Sequence, residues 1–230
     1  MKLLFTILFA ALLLSQGANA QNAERNVKNF NGVVAGGPID VIIKFGDKES
    51  LRFEGDAAAV ASLVSEVKGD VLIIRPQTSW VSWARKYENK KITAYVTAKQ
   101  LSSLTMSGNG SIAVSGTITA AEFAVTLSGS GSIKANVDAD KITGVLSGSG
   151  TSNISGKAGE ASVTLSGPGT FGSKTLTVNG LSARISGKGN IYINTKGKIK
   201  AFISGSGHVF YTGNADIEKT VIGSGGVSEI

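Results

Sequence analysis

One nine-residue pattern constrains this chain more than anything else in it: Φ-x-Φ-Ser-Gly-x-Gly-x-Φ, where Φ is apolar. It runs from Leu104 to Ile112 around Ser107-Gly108-Asn109-Gly110. It recurs at Ser128-Gly129-Ser130-Gly131, Ser147-Gly148-Ser149-Gly150, Ser166-Gly167-Pro168-Gly169, Ser186-Gly187-Lys188-Gly189 and Ser204-Gly205-Ser206-Gly207. Ile222-Gly223-Ser224-Gly225 is a degenerate seventh copy. The copies follow one another at a near-constant step, the mark of a repeat architecture. A unit this short cannot bury its own apolar side, whereas stacked copies bury one another's.

Parity gives the direction of each side chain, because strand residues alternate between faces. Val125, Leu127, Gly129, Gly131 and Ile133 share one parity, and Thr126, Ser128, Ser130 and Ser132 the other. The apolar residues and both glycines are therefore expected to face inward and the small polar residues outward. The phase holds straight through Ser-Gly-x-Gly, which a hairpin turn would normally interrupt. The expected fold is all-β: a parallel, right-handed β-helix or β-solenoid of about seven coils. Coils rise about 4.8 Å each, so seven span roughly 30 Å. An antiparallel β-sandwich with glycine-rich hairpins is the alternative.

Composition narrows the chemistry. Of 30 glycines in 230 residues, 14 belong to the repeats, and with 3 prolines and no Gly-X-Y period the chain is not collagen. A hydrophobic content of 42% excludes a disordered chain. The absence of cysteine removes disulfides, thiol nucleophiles and Cys-based metal sites. His208 is the single histidine, which argues against a Ser-His-Asp triad or a multi-His metal centre. No cofactor or metal is expected.

Residues 1–20 read as a signal peptide: Lys2, the apolar run Leu3 to Leu14, then Ala18-Asn19-Ala20 as the cleavage site. The apolar run is too short for the roughly 20 residues that span a bilayer. The expected product is exported, in the periplasm, at the outer membrane or outside the cell, with no membrane span after cleavage. The net charge is +7. Positive charge gathers in residues 75–100, around Arg75, Arg85, Lys86, Lys90, Lys91 and Lys99 against Glu88, and in residues 184–200, around Arg184, Lys188, Lys196, Lys198 and Lys200. Export argues against nucleic acid, leaving polysaccharide, lipopolysaccharide or an envelope protein as electrostatic partners.

Residues 21–103 lack the repeat and are expected to form N-terminal strands that either cap the solenoid of residues 104–230 or begin the same sheet with longer, less regular coils, in one continuous domain. Ile39 to Phe45, Leu51 with Phe53, Val71 to Ile74, and Ile92 to Val96 read as strands. Asp56 is the expected N-cap of a short helix reaching about Val67. Trp80, Trp83 and Tyr87 would share one face of a second short helix beside Arg85. Their roles are either to anchor that segment or to form an aromatic and basic contact for a ligand.

Stacking builds outward ladders. One column reads Ser107, Ser128, Ser147, Ser166, Ser186 and Ser204; the next Asn109, Ser130, Ser149, Pro168, Lys188, Ser206 and Ser224; a third Ser111, Ser132, Thr151, Thr170, Asn190 and His208. They form either the plain polar side of a wall or a platform for an extended ligand. The candidate ligand-binding residues are Ser130, Ser149, Lys188, Ser206, Trp80, Trp83 and Arg85. The rival is a polysaccharide lyase or hydrolase, for which Asp138 and Asp140 are the best carboxylate pair, although only Lys141 accompanies them. A third reading is a structural envelope protein that self-associates end to end through its last coil.

The segments Phe30-Asn31-Gly32-Val33, Gly37-Pro38-Ile39-Asp40-Val41, Gly69-Asp70-Val71-Leu72-Ile73 and Ile92-Thr93-Ala94-Tyr95-Val96 lead into the repeats. Together they resemble the putative auto-transporter adhesin head GIN domain family over roughly residues 26–228. The resemblance implies a pectin-lyase-like β-helix without recognisable catalytic residues, and cell adhesion as its role. The expected function is thus a non-catalytic exported envelope protein that binds an extended glycan or envelope partner through its polar face.

Overall fold

The computed structural model describes residues 23–87 and 90–230; the expected signal peptide and Glu88 lie outside them. In chain order the first elements are β1 (Ala23–Arg25), β2 (Gly32–Gly36), β3 (Asp40–Phe45), β4 (Ser50–Gly55), α1 (Ala57–Ala61), β5 (Leu63–Lys68), β6 (Val71–Pro76), α2 (Trp80–Lys86), β7 (Ile92–Ala98) and β8 (Ser103–Gly108). Five long strands follow: β9 (Ser111–Gly129), β10 (Ser132–Gly148), β11 (Thr151–Ser166), β12 (Thr170–Gly187) and β13 (Asn190–Gly205). The chain closes with β14 (His208–Thr212), β15 (Asp216–Ile222) and β16 (Gly226–Glu229).

The repeats build a parallel β-solenoid of about seven turns. Each long strand runs along one wall, rounds a bend and returns along the other. The glycine motif then makes the sharp corner into the next strand. Parallel register such as Leu127↔Leu146↔Leu165↔Ile185↔Ile203 excludes the antiparallel sandwich. The inward columns meet in a core that includes Ile112, Phe123, Ile133, Leu165 and Ile191, all at most 1% exposed.

The corner explains the glycines. The first glycine of every copy, from Gly108 to Gly223, has φ between +112° and +125°, a region that favours glycine. The coils also meet here backbone to backbone. A Cβ on Gly129 would lie 2.5 Å from the Gly108 carbonyl oxygen, and one on Gly131 2.5 Å from that of Gly110. The Gly108 carbonyl accepts hydrogen bonds from the N–H groups of Ser130 (3.0 Å) and Gly131 (2.9 Å), and the Gly129 carbonyl from those of Ser149 (3.0 Å) and Gly150 (2.9 Å). Pro168 has no N–H to give, so at this corner the Gly148 carbonyl lacks that donor, while the Gly167 N–H donates to the Ser186 carbonyl at 2.9 Å.

Variation in repeat length is absorbed at the opposite bend. Ser132 pairs with Ser111 and Lys134 with Ala113, but Asn136 pairs with Thr117, so the register jumps and the extra residues of β9 bulge out between Ala113 and Thr117. A polar residue in the core is compensated from across the solenoid. Ser152 occupies an inward position between Ile133 and Phe171 and is fully buried, and its hydroxyl has no partner among the described residues. Phe171 reaches across to Gly144, where a Cβ would lie 2.6 Å from its ring, and fills the space those two small residues leave.

The solenoid starts well before the repeats. β2 and β3, joined by a corner at Gly37-Pro38, make a coil that pairs in parallel with β8 and β9, although Gly32 and its partner Ser103 are separated by most of the N-terminal region. The intervening chain folds outward over that coil. β6 and β7 stack in parallel on β2 and β3, with α2 where the glycine corner would be. β5 and β4 lie beyond them, antiparallel, with α1 between. β1 closes the edge of β4.

The first helix is shorter than its sequence suggests. Asp56 caps it, its carboxylate accepting the N–H groups of Ala58 (3.1 Å) and Ala59 (3.0 Å). Those bonds, that of Ala59 foremost, and Lys90 hold the Asp56 carboxyl below its ordinary value. The helix ends at Ala61 rather than Val67, because Leu63 to Lys68 pair across the Gly69-Asp70 turn with Val71 to Pro76. A hairpin to an apolar strand outcompetes a longer helix whose extension has nothing to pack on.

These contacts fix two outcomes. Gly129→Val and Gly167→Val should each cost about 2–5 kcal/mol, from strained φ and backbone overlap, whereas exposed Ser130→Val should stay within about 0.5 kcal/mol. Urea melts of the three variants check this, and equal losses would contradict the assigned facing. Ser152→Ala should leave stability unchanged or raise it by up to about 1 kcal/mol in the same urea melts, since it removes an unpaired buried hydroxyl. A clear fall would show that the hydroxyl is bonded.

Candidate functional site

The outer side of the glycine edge carries the three polar columns. Register aligns Ser132 with both Ser111 and Thr151, and Ser147 with both Ser128 and Ser166, so the columns run straight along the solenoid. Ser128, Ser130, Ser147 and Ser149 are exposed, and their hydroxyls make no hydrogen bond among the described residues. Ser111 differs, donating to Asp40 at 2.6 Å. Lys188 is exposed in the same column as Ser130 and Ser149, while Ser206 is half-buried. His208 Nδ1 lies 3.0 Å from the Ser206 carbonyl, to which it donates in the Nδ1–H tautomer.

The tryptophans divide. Trp80 is 45% exposed and stands beside Gly37, where a Cβ would be 3.4 Å from its own Cβ, so it occupies the N-terminal end of the same glycine edge. Arg85 is exposed on that helix. Trp83, expected among the contact residues, is only 2% exposed. Its Nε1–H donates to the Ser62 hydroxyl at 2.7 Å, and its ring packs 5.1 Å from Tyr87, pinning α2 to the end of α1. Trp83 is therefore an anchor of the cap and offers no surface to a ligand. The i, i+3 spacing gave both indoles one helix face without saying how far the cap covers it.

Two features escaped sequence reasoning. On the outer wall beside His208, Phe210 stacks on Tyr192 (5.1 Å, 21°) and on His208 (5.5 Å, 12°). The signal was present: Tyr192 and Phe210 alternate with the inward Ile191, Ile193, Val209 and Tyr211 in adjacent copies. The second is a cleft of about 860 Å³ on the same wall at its N-terminal end, lined by Arg25, Ile42, Lys44, Lys48, Arg52 and Tyr95 among others. These residues come from separate segments and meet only through the register Glu24↔Arg52, Arg52↔Tyr95 and Tyr95↔Ile42.

Several of the acids pair with lysines of neighbouring coils. Asp138 pairs with Lys157 of the next coil at 3.1 Å, and Glu122 with Lys141 at 3.8 Å. Glu218 and Lys198 lie 2.8 Å apart, which holds the carboxyl below and the ammonium above their ordinary values. Among the described residues no three His, Cys, Asp or Glu side chains gather to hold a metal. No helix among them is long and apolar enough to cross a membrane.

The geometry agrees with the known proteins this chain resembles. A putative adhesin from Bacteroides fragilis superposes with a TM-score of 0.80 at 23% identity, covering 91% of this chain and 96% of the other. A putative lipid binding protein from Parabacteroides distasonis gives 0.70 at 21% identity over the same shares, and a putative adhesin from Parabacteroides merdae 0.65 at 21%, over 91% and 95%. At these identities the likeness establishes a common fold. No curated protein matches the chain. Residues 29–215 match the family described as putative auto-transporter adhesin, head GIN domain, and the chain belongs to that family.

Proposed function

We propose that this chain is an exported, non-catalytic adhesin-like protein that binds an extended envelope glycan along its Ser-Gly-x-Gly edge. The observation that carries the reading is the set of in-register columns of exposed hydroxyls, of which Ser128, Ser130, Ser147 and Ser149 have no protein partner among the described residues. A hydroxyl both donates and accepts, so such a row matches the hydroxyls of a saccharide whatever their orientation. The spacing of about 4.8 Å between coils repeats the contact along a polymer. Trp80 and Arg85 at the head of the edge, and Lys188 and Ser206 towards its far end, add aromatic and charged contacts. The family and its structural neighbours are described as adhesins or lipid-binding proteins rather than enzymes, which supports a non-catalytic role.

A glycan array and binding to isolated envelope polysaccharide test the proposal. The triple variant Ser128→Ala, Ser147→Ala, Ser166→Ala should melt like the wild type yet bind about tenfold or more weakly, since it removes several modest hydrogen bonds at once. Absence of any glycan ligand, or unchanged binding by the triple variant, would reject the reading. Release of reducing ends or unsaturated uronides from polysaccharide, lost in Asp138→Asn, would replace it with an enzyme.

A further inference from the structure

The N-terminal cleft is lined by more basic than acidic side chains. Four basic side chains line it, Arg25, Lys44, Lys48 and Arg52, against two acidic ones, Glu24 and Glu49. Both acids have other work. Glu49 accepts the backbone N–H groups of Asn29 (2.8 Å) and Phe30 (3.2 Å), which holds the chain after β1 in place. Glu24 stands opposite Arg52 in the strand register, and Glu54 lies 3.7 Å from the same guanidinium. Asp47, in the adjoining turn, faces a separate hollow with Phe45 and Lys99. Arg25, Lys44 and Lys48 thus have no carboxylate partner among the described residues.

The floor of the cleft is apolar and stiff. Ile42 is 40% exposed and gives the cleft an apolar surface beside Tyr95, its partner in the strand register. Beside it the Arg52 guanidinium lies 4.3 Å above the Tyr95 ring, which fixes both. Cations around an apolar floor, in a cleft within the usual range of roughly 300–1,000 Å³ for small-ligand sites, suit a ligand with an anionic group on a body that has an apolar face. We propose that this cleft binds an acidic saccharide, a sugar carrying carboxylate or phosphate, with Lys44, Lys48 and Arg25 holding the anion and the ring lying against Ile42. The choice of a saccharide rests on the glycan reading above; the preference for an anion rests on the cleft alone.

Titration calorimetry of the chain with trigalacturonate and with neutral maltotriose tests the cleft. Trigalacturonate should bind, salt should weaken it, and maltotriose should not compete. The double variant Lys44→Gln, Lys48→Gln changes two exposed side chains, so its circular dichroism should match the wild type while its affinity for trigalacturonate falls about tenfold or more. The Ser128→Ala, Ser147→Ala, Ser166→Ala variant should bind trigalacturonate as the wild type does, which separates this site from the hydroxyl edge. Failure of trigalacturonate to bind, equal binding of both saccharides, or an unaffected lysine variant would overturn the proposal. Preference for phosphatidylglycerol vesicles over trigalacturonate would overturn it too, by assigning the cleft to a lipid surface.

Discussion

Everything in this fold depends on a backbone contact that leaves no room for a side chain. At the glycine corner one coil lies on the next closely enough that a carbonyl receives two successive N–H groups from above, as Gly108 does from Ser130 and Gly131. A Cβ on either glycine would collide with the carbonyl below, and the first glycine's φ would be strained for any other residue. The corner therefore acts as a register pin. The bend on the other side tolerates bulges and coils of different length. Constraint and tolerance sit on opposite edges of the same coil.

This division explains what could be read from sequence. The pinned edge repeats its residues, so the period, the inward glycines and the polar columns were all legible from Leu104 onward. The pairing of the first coil was not. β2 and β3 obey the same geometry, but they are followed by an outward excursion that returns only at β8, and no local pattern encodes a pairing as distant as that of Gly32 with Ser103. The length of α1 and the burial of Trp83 failed for a related reason. Each is decided by what packs against it, the β5–β6 hairpin for the helix and Ser62 with Tyr87 for the indole. The cleft is the extreme case, since Arg52, Tyr95 and Ile42 meet only after antiparallel and parallel pairings have placed β4, β7 and β3 side by side.

A solenoid must also stop, because each terminal coil presents unpaired edges to further strands. The two ends solve this differently. At the N-terminal end the chain reverses direction, so β4 and β5 run antiparallel to the coils and the regular stack cannot continue. At the other end the last coil keeps the parallel register but alters its inward residues. Lys219 falls in the column of Ala201, and Glu229 in that of Tyr211. Placing a charge where the next coil would need an apolar contact disfavours further stacking, which weighs against growth of a filament from this end.

Apolar side chains fill the solenoid's core among the described residues, so the ligands proposed above would lie on its walls. A single exposed hydroxyl contributes little net affinity, about 0.5–1.5 kcal/mol at best, because water competes for every bond. A monosaccharide touching one or two coils would gain almost nothing. A polymer that engages many coils makes each later contact intramolecular, and those small terms then accumulate. On the reading proposed above, the ladder would favour long ligands over short ones through geometry alone. What it lacks is a reference point, since a chain sliding by one coil meets nearly the same hydroxyls. The cationic cleft adjoins the Ser111–His208 column at only one end of the wall, and an acidic sugar held there would set where along the ladder the polymer begins.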